Sequence, residues 1–270
     1  MHAIGRSFEL FPNQAFQRSH FKEKIVKIVS FVFAVLALFA SHAALADEEG
    51  IKKLLGARFP EIKVEKITKS GYEGLYEIFA GGEIFYTDEK AAFVLVGHLI
   101  DAKTREDATE LRLRKLTAVP FDQLPLDNAI KTVRGNGARR IAVFADPYCG
   151  FCKRFENDLI TLQDITIYTF LLPIIRQESV PTSKKIWCSD DRTKAWQDLM
   201  LKGIEPSGEG NCEAPLNKNI ALGQKLHITG TPLTVFEDGE RIPGAIPKVK
   251  LEQKMASAVA VKTAVDTAKH

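Results

Sequence analysis

The sequence predicts two folded domains, a small α+β domain followed by a larger α/β domain that contains a helical insert. An apolar stretch at residues 141–145 leads into a turn and a helical pattern, and a strand pattern follows at residues 166–172, which together describe a β-α-β unit. Three short strand patterns between residues 62 and 87 follow one amphipathic helix pattern instead. Removing a leader of 46 residues from the 270 leaves 224, which is enough for two small domains.

Residues 1–46 are predicted to be a signal peptide and not part of the fold. Positive residues between Arg18 and Lys27 precede an apolar run at residues 28–40, and Ala44-Leu45-Ala46 has the small-x-small pattern of a cleavage site. The region before the positive flank is about 20 residues longer than usual. An uncleaved anchor is the alternative, because residues 28–46 approach the roughly 20 that a spanning helix needs. We expect cleavage and an exported chain that starts at Asp47.

The formal net charge of +3 comes from the leader. The leader carries five of the 37 basic residues and two of the 34 acidic ones, so the rest of the chain is neutral. Nucleic-acid-binding domains usually present a basic face, and a neutral chain predicts no such partner. All four cysteines follow the leader, in the exported part of the chain, where disulfides can persist.

Residues 47–103 are predicted to form the small α+β domain. A helix pattern at 47–58 precedes strand patterns at 62–68, 75–80 and 83–87, and Gly81-Gly82 is a good hairpin turn between the last two. Residues 91–100 predict a further strand that is too apolar to be left as an open edge. Either its own domain buries this strand, or a second subunit pairs with it.

Residues 104–137 are predicted to be a linker. The segment begins with a dense run of charges, which favours a solvated helix, and Pro120 and Pro125 interrupt that helix. Residues 134–137 end the linker as a turn before the apolar strand at 141–145. We assign no chemistry to the charges.

The two cysteines of Cys149-Gly150-Phe151-Cys152 stand at the start of the helix that follows this strand. Unpaired N–H groups and the helix dipole stabilise a thiolate there, so Cys149 is the predicted nucleophile, and Cys152, one turn further, is placed to attack a mixed disulfide. Zinc binding would need a second close Cys or His pair, which is missing from the sequence. Haem attachment would need a histidine where Lys153 stands. We therefore predict a redox site with no metal and no organic cofactor.

The motif and its surroundings resemble the DsbC/DsbG family of periplasmic disulfide isomerases. The resemblance rests on Phe-Ala-Asp-Pro-Tyr-Cys-Gly-Phe-Cys-Lys at 144–153, Ile186-Trp187-Cys188, Asn211-Cys212 and Gly230-Thr231-Pro232. It is strongest at residues 140–244 and weaker at 47–114. It implies a thioredoxin-fold catalytic domain at 138–270, an N-terminal dimerisation domain at 47–103 and a V-shaped homodimer in the periplasm.

The resemblance also gives expectations for single residues. A proline before a strand is often cis, and the family places Thr231 and Pro232 against Cys149, where they and Tyr148 are expected to bind substrate. Thioredoxin has a buried acid six positions before its nucleophile. This chain has Val143 there, so we expect no buried carboxylate at that position to receive the proton of Cys152.

Helix patterns at 179–200 and 216–226 form the insert, before the sheet resumes at 233–237 and a terminal helix follows at 248–269. Cys188 and Cys212 enclose 23 residues, rich in glycine, within this insert, and in an oxidising compartment we expect a structural disulfide between them and not two free thiols. Members of the DsbC type resemble this chain in having such a pair, whereas Asp146-Pro147 is more similar to DsbG. The chain is most similar to DsbC.

The function that these features predict is thiol:disulfide isomerisation in misfolded or misoxidised exported proteins. The family resemblance adds a DsbD-like membrane thiol reductant as the electron donor. Two other functions stay open at this point. One is a dedicated oxidase or reductase with the same cysteines, and the other is a chaperone-like protein whose dimer cleft binds unfolded chains.

Overall fold

The computed structural model describes residues 48–267, so the predicted signal peptide at 1–46 and its cleavage point lie outside the described residues. Two compact units divide the chain. The first comprises residues up to Ala80 together with Phe85–Leu95, and the second comprises Gly81–Ile84 and the chain from Val96 onward. None of the helices within residues 48–267 has the length and apolar character that crossing a bilayer requires.

The first unit contains a helix and most of a four-stranded sheet, in which the first two strands pair antiparallel, and this agrees with the predicted α+β class. Helix α1 spans residues 48–58. The sheet has the order β1-β2-β3-β4, with strands β1 Val64–Lys69, β2 Tyr76–Ala80, β3 Glu83–Thr87 and β4 Leu95–Val96. Ile51 and Leu55 lie one turn apart on α1 and are buried against Ile67 and Ile78 of the sheet. This spacing explains why the amphipathic pattern was readable from the sequence.

The strand predicted at residues 91–100 is shorter in the structure. Only Leu95 and Val96 pair with the sheet, as a two-residue edge strand. Gly97 follows with φ of 150°, a backbone conformation that residues with a side chain rarely adopt, and this ends the strand. The side chains of Leu95 and Val96 are exposed in the single chain.

The segment predicted as a linker contains one helix and two short 3₁₀ turns. Helix α2, Ala108–Leu116, is capped by Asp107, whose carboxylate accepts a hydrogen bond from the Glu110 N–H at 2.8 Å. The 3₁₀ turns, Phe121–Gln123 and Leu126–Asn128, each begin directly after a proline, as expected from the fixed φ of that residue.

The end of this segment differs from the prediction, which placed residues up to 137 in the linker. Strand β5, Ile130–Arg134, pairs antiparallel with Ile165–Leu171, which is strand β7, and forms an edge of the five-stranded sheet of the second unit. Ile130 is buried, whereas Lys131 and Val133 point to solvent. Because only Ile130 is a strongly apolar residue that faces the core, the alternation of apolar and polar residues was too weak to predict a strand.

The second unit is an α/β domain with a central five-stranded sheet of order β5-β7-β6-β8-β9. Strands β6 and β7 are parallel, and β8 and β9 extend the sheet as an antiparallel hairpin. The remaining strands are β6 Arg139–Ala145, β7 Ile165–Leu171, β8 Leu233–Phe236 and β9 Arg241–Pro243. Helix α3, Gly150–Leu159, joins β6 to β7 and completes the predicted β-α-β unit.

Three helices are inserted between β7 and β8, and one follows the sheet. They are α4 Ser179–Trp187, α5 Arg192–Lys202, α6 Leu216–Lys225 and α7 Lys248–Thr267. The sequence predicted one helix where α4 and α5 stand. The chain breaks between them because Asp191 caps a new helix, accepting a hydrogen bond from the Lys194 N–H at 2.8 Å.

The sheet separates two apolar clusters. One contains the buried face of α3 and includes Phe155, Trp196 and Met255. The other lies on the opposite face and includes Phe144 and Phe170, whose rings stack with centroids 4.7 Å apart. Burial of side chains of this size stabilises a fold by about 1.5–3 kcal/mol each. Strand β6, which leads into the turn with the cysteine motif, is therefore packed on both faces.

Candidate active site

The turn that leads into the cysteine motif connects the end of β6 to the start of α3. Pro147 cannot donate a hydrogen bond to a neighbouring strand, and β6 ends two residues before it. The Cys149 N–H donates to the carbonyl oxygen of Asp146 at 3.1 Å, which closes the turn. Cys149 then occupies the N-cap of α3 with an extended backbone, φ −76° and ψ 114°. The sequence had placed Cys149 at this helix start.

The two cysteines of the motif are free thiols and are almost fully buried, with exposures of 4% for Cys149 and 3% for Cys152. The Cys152 N–H donates to Sγ of Cys149 at 3.2 Å. One of the unpaired N–H groups of the first helical turn is thus aimed at the sulfur where negative charge forms when the thiol ionises.

Cys152 has a different environment. Burial raises the pKa of the Cys152 thiol far above its ordinary value, and the hydrogen bond with Cys149 raises it further. The side chain of Thr231 and a backbone hydrogen bond from Asp146 lower it in part. Cys152 therefore remains a neutral thiol at neutral pH.

Thr231, followed by Pro232, lies beside Cys149, the predicted nucleophile. The Sγ of Cys149 donates to the carbonyl oxygen of Thr231 at 3.2 Å, and the Thr231–Pro232 peptide bond is cis. The Thr231 hydroxyl oxygen is buried without a conventional hydrogen-bond partner in the described part of the chain. The sequence and the family resemblance together had grouped these two residues with Cys149.

Tyr148 is half-buried, and its side chain is engaged by the protein. Its hydroxyl forms hydrogen bonds with Oγ1 of Thr182 at 2.8 Å and with the carboxylate of Glu205 at 3.1 Å. The guanidinium of Arg176 lies 3.4 Å from the ring centroid. The predicted substrate-binding residue is therefore also a structural link between the turn, α4 and the loop after α5.

The predicted pair Cys188 and Cys212 forms a disulfide, with a Cα–Cα distance of 5.6 Å. It joins the end of α4 to the loop that follows α5, and Glu205 belongs to the enclosed loop. Closing a loop of this size contributes about 3 kcal/mol in the chain-entropy model. The disulfide thus fixes the loop that delivers Glu205 to Tyr148.

Sequence reasoning missed two buried carboxyl groups beside the cysteines. Asp146 is completely buried three residues before Cys149, and Glu156 is buried four residues after Cys152. The Trp196 Nε1–H donates to Glu156 at 3.0 Å, and burial raises the pKa of the Glu156 carboxyl. The spacing of Cys152 and Glu156, one helical turn apart on the buried face, was the available signal.

Valine occupies the position of thioredoxin's buried acid, as the sequence shows, and Val143 is part of the core. Among residues 48–267, no cluster of three or more His, Cys, Asp or Glu side chains has the arrangement of a metal site. The chemistry that this arrangement supports is thiol–disulfide exchange, with one sulfur at a helix start and a second sulfur one turn away.

Comparison with known families and proteins agrees with this chemistry. Residues 126–258 match the family of the thioredoxin-like domain, and residues 42–110 match the family of the disulfide bond isomerase protein N-terminal domain. The probable thiol:disulfide interchange protein DsbC of Bordetella parapertussis is 42% identical over 216 residues, which cover 80% of this chain and 77% of that protein. The thiol:disulfide interchange protein DsbC of Escherichia coli K12 is 24% identical over 234 residues, 82% of this chain and 92% of that protein.

Among solved structures, a disulfide interchange protein from Neisseria gonorrhoeae is 39% identical, covers 50% of this chain and 98% of its own, and gives a TM-score of 0.48. The N-terminal match is to a disulfide bond isomerase domain, and the Bordetella relative aligns with four fifths of the chain at 42% identity. The chain therefore belongs to the DsbC family of thiol:disulfide interchange proteins.

Proposed function

We propose that the protein is a periplasmic thiol:disulfide isomerase that rearranges incorrect disulfides in exported proteins through Cys149 and Cys152. The observation that carries the proposal is the asymmetry of the pair. Cys149 receives an N–H donor from the start of α3, whereas burial raises the pKa of Cys152. One sulfur is arranged to attack, and the other is kept protonated.

The first step is attack by the Cys149 thiolate on one sulfur of a substrate disulfide. A bond forms between Sγ of Cys149 and that sulfur, the substrate bond breaks, and the other substrate sulfur leaves as a thiolate. That thiolate can attack a second substrate disulfide, and a further substrate thiolate then displaces Cys149. No electrons are gained or lost in this cycle, so it needs the cysteine pair only in the reduced state.

Cys152 supports this cycle by reacting slowly. Only a thiolate displaces a sulfur from a disulfide, and a raised pKa keeps the thiolate fraction of Cys152 small. The mixed disulfide on Cys149 therefore lasts long enough for substrate thiols to rearrange. When Cys152 does react, the substrate leaves with two more electrons and the pair becomes a disulfide, which a DsbD-like membrane thiol donor must reduce again.

Thr231 and Pro232 are proposed to bind the substrate beside the mixed disulfide. The proline has no N–H to pair with the passing backbone, and the Thr231 carbonyl is within hydrogen-bond distance of Cys149. An extended substrate segment can take main-chain hydrogen bonds at this edge. Tyr148 is proposed to support this surface, because its ring borders the turn and its hydroxyl is already bonded internally.

A homodimer formed through the N-terminal domain completes the proposal. Its support is the match of residues 42–110 to the isomerase N-terminal domain family, together with the exposed apolar side chains of the edge strand β4. Export through the signal peptide at 1–46 would bring the protein to the oxidising compartment that its disulfide requires.

An oxidase or a reductase with the same cysteines is the second candidate within enzymes. Two assays distinguish an isomerase from an oxidase. The reduced protein is tested on a scrambled multi-disulfide substrate with a small-thiol buffer, and the oxidised protein is tested on the same substrate after full reduction. The proposal predicts that the reduced protein restores native disulfides. If the protein oxidises reduced substrate rapidly but does not rearrange scrambled disulfides, the assignment changes from isomerase to oxidase.

A chaperone-like role is separable from both enzymatic roles. Replacing Cys149 and Cys152 together by alanine removes exchange chemistry and leaves the apolar surfaces in place. Suppression of substrate aggregation that survives this double replacement would establish binding of unfolded chains as an activity of its own.

A further inference from the structure

Large apolar side chains lie exposed around the catalytic turn. Phe151, between the two cysteines, is 57% exposed, and Ile174 and Ile175, in the loop after β7, are 41% and 50% exposed. When a substrate is held on Cys149 as a mixed disulfide, the residues next to its cysteine lie within several ångströms of the turn, since each residue spans about 3.3 Å. Exposed apolar side chains that border the turn are therefore available to contact a substrate held on Cys149.

Asp146 connects this apolar loop to the nucleophile. Its carbonyl oxygen accepts the Cys149 N–H at 3.1 Å. One carboxylate oxygen, Oδ2, accepts the N–H groups of Ile174 and Ile175 at 2.8 and 2.9 Å. A single residue therefore binds the nucleophile's backbone and the backbone of both isoleucines.

The second carboxylate oxygen of Asp146 is also fully used. Oδ1 accepts the Tyr148 N–H at 2.8 Å and the Ser179 hydroxyl at 2.9 Å. A carboxylate has about four acceptor positions, and here four uncharged donors occupy them in a completely buried site. Burying a carboxylate is costly without such donors. A fully hydrogen-bonded Asp146 therefore fixes three segments at once, namely the turn at Tyr148, the loop at 174–175 and the start of α4 at Ser179.

We propose that Asp146 is a positioning residue whose carboxylate holds Ile174 and Ile175 beside Cys149, where they form a binding wall for the apolar residue next to the substrate's cysteine. The proposal rests on the assignment of Cys149 as the nucleophile. Its ligand class is an extended peptide with a large aliphatic or aromatic side chain adjacent to cysteine. Misfolded proteins expose such side chains, whereas native ones bury them.

The structure predicts different results for two replacements of Asp146. Asparagine keeps one acceptor oxygen, and when this oxygen faces Ile174 and Ile175 both of their hydrogen bonds are retained. The amide group then faces Ser179, whose hydroxyl can accept a hydrogen bond from it. Only the hydrogen bond from the Tyr148 N–H is lost. Alanine offers no acceptor and releases the wall. Asp146→Asn should thus retain the preference for an apolar neighbour, and Asp146→Ala should lose it.

The test uses the full chain with Cys152→Ser and two short peptides, each with one cysteine linked to thionitrobenzoate and flanked by leucine or by serine. Attack by Cys149 forms the peptide mixed disulfide and releases the coloured thionitrobenzoate anion, so its rate is read directly. Saturation curves separate KM from kcat. With Asp146 intact, we expect kcat/KM to be about fivefold higher for the leucine peptide, through a lower KM. Partial burial of one leucine supplies about the binding free energy that a fivefold change needs.

The expected ratio is about one for Asp146→Ala and within twofold of the parent for Asp146→Asn. Ile174→Ser with Ile175→Ser changes only exposed side chains and should also give a ratio near one, so the wall can be tested even if Asp146→Ala fails to fold. Asp191→Ala, which removes the carboxylate cap of α5, is the matched control and should destabilise the protein while leaving the ratio at its parent value.

A folded Asp146→Ala variant that keeps the fivefold preference would overturn the positioning role, and an equal rate for both peptides with Asp146 intact would remove the wall. Loss of the preference in Asp146→Asn as well as in Asp146→Ala would mean that charge, and not position, matters. Release of thionitrobenzoate by Cys149→Ala is a separate outcome that would sink the nucleophile assignment instead.

Discussion

The sulfur of Cys149 lies 3.2 Å from the carbonyl oxygen of Thr231, a residue 82 positions further along the chain. The contact joins the start of α3 to the loop before β8, and it brings the Thr231 hydroxyl close enough to Cys152 to lower the pKa of that thiol. Thr231 therefore interacts with both sulfurs of the proposed cycle, that of Cys149, which attacks the substrate, and that of Cys152, which releases it.

Thr231→Val is expected to slow release of the mixed disulfide. Burial raises the pKa of Cys152 and the Thr231 hydroxyl opposes this effect, so its loss leaves an even smaller thiolate fraction. Losing about 1 kcal/mol of thiolate stabilisation corresponds to roughly fivefold in rate. Stopped-flow measurement of peptide release from Cys149 checks this. Thr234→Val is the matched control, because its hydroxyl is also buried without a partner in the described chain, and a similar slowing there would remove the specific role of Thr231.

Alkylation of the reduced protein should distinguish the two thiols by pH. Burial raises the pKa of Cys152, and a thiol stays neutral and unreactive below its pKa, so iodoacetamide should modify Cys152 slowly at neutral pH. Its rate should rise with each pH step up to about pH 9 without a plateau. Mass spectrometry of the modified peptides locates the label. Faster labelling of Cys152 than of Cys149 at neutral pH would reverse the two roles.

Glu156→Gln should stabilise the protein in a pH-dependent way. Burial raises the folded-state pKa of this carboxyl, so its favourable contribution is complete below the unfolded value of about 4.3 and is lost as pH rises through the folded value. Glutamine stays neutral and can still accept the Trp196 N–H. The gain in unfolding free energy over the parent chain should therefore be near zero at about pH 4 and positive at about pH 8. Urea unfolding at both values measures it, and a gain that shrinks with rising pH would contradict the assigned environment.

Val96→Asp should separate the proposed dimer into folded monomers. Val96 is 74% exposed in the single chain and lies on the edge strand β4, so a charge there costs little in the monomer and much in an apolar interface. Light scattering gives the mass. Val133→Asp is the control, since this exposed valine lies on the edge strand β5 of the other sheet. A Val96→Asp protein that stays dimeric would place the interface elsewhere.

The sequence was sufficient for the parts of the fold that rest on local patterns. The β-α-β unit around Cys149 could be predicted because β6 is apolar and buried from residue 141 to 145, and α3 buries Phe155 and Leu159 about one turn apart. The short edge strands were harder. Strand β5 has a single strongly apolar inward residue, Ile130, and β4 ends early at Gly97, whose backbone conformation no periodicity reveals.

The candidate site shows the same division. The Cys-x-x-Cys spacing at the end of a predicted strand was enough to predict Cys149 and Cys152 as the redox pair, because their proposed roles depend on two positions about one helical turn apart. Asp146 was named only as a marker of similarity, because its partners Ile174 and Ser179 are 28 and 33 residues away. The bond between Tyr148 and Glu205 spans 57 residues. Contacts of this range are products of tertiary packing, and a single sequence has no local signal for them.

The central claim, that the protein is an isomerase whose nucleophile is Cys149, is tested most directly with Cys152→Ser. An oxidase must deliver the disulfide of the pair, whereas an isomerase needs chiefly the attacking thiolate. On a scrambled multi-disulfide substrate with a small-thiol buffer, Cys152→Ser should keep part of the isomerase activity and accumulate a mixed disulfide through Cys149, and Cys149→Ala should do neither. If Cys152→Ser is inert while the parent protein oxidises reduced substrate rapidly and never reshuffles scrambled bonds, the isomerase assignment is wrong.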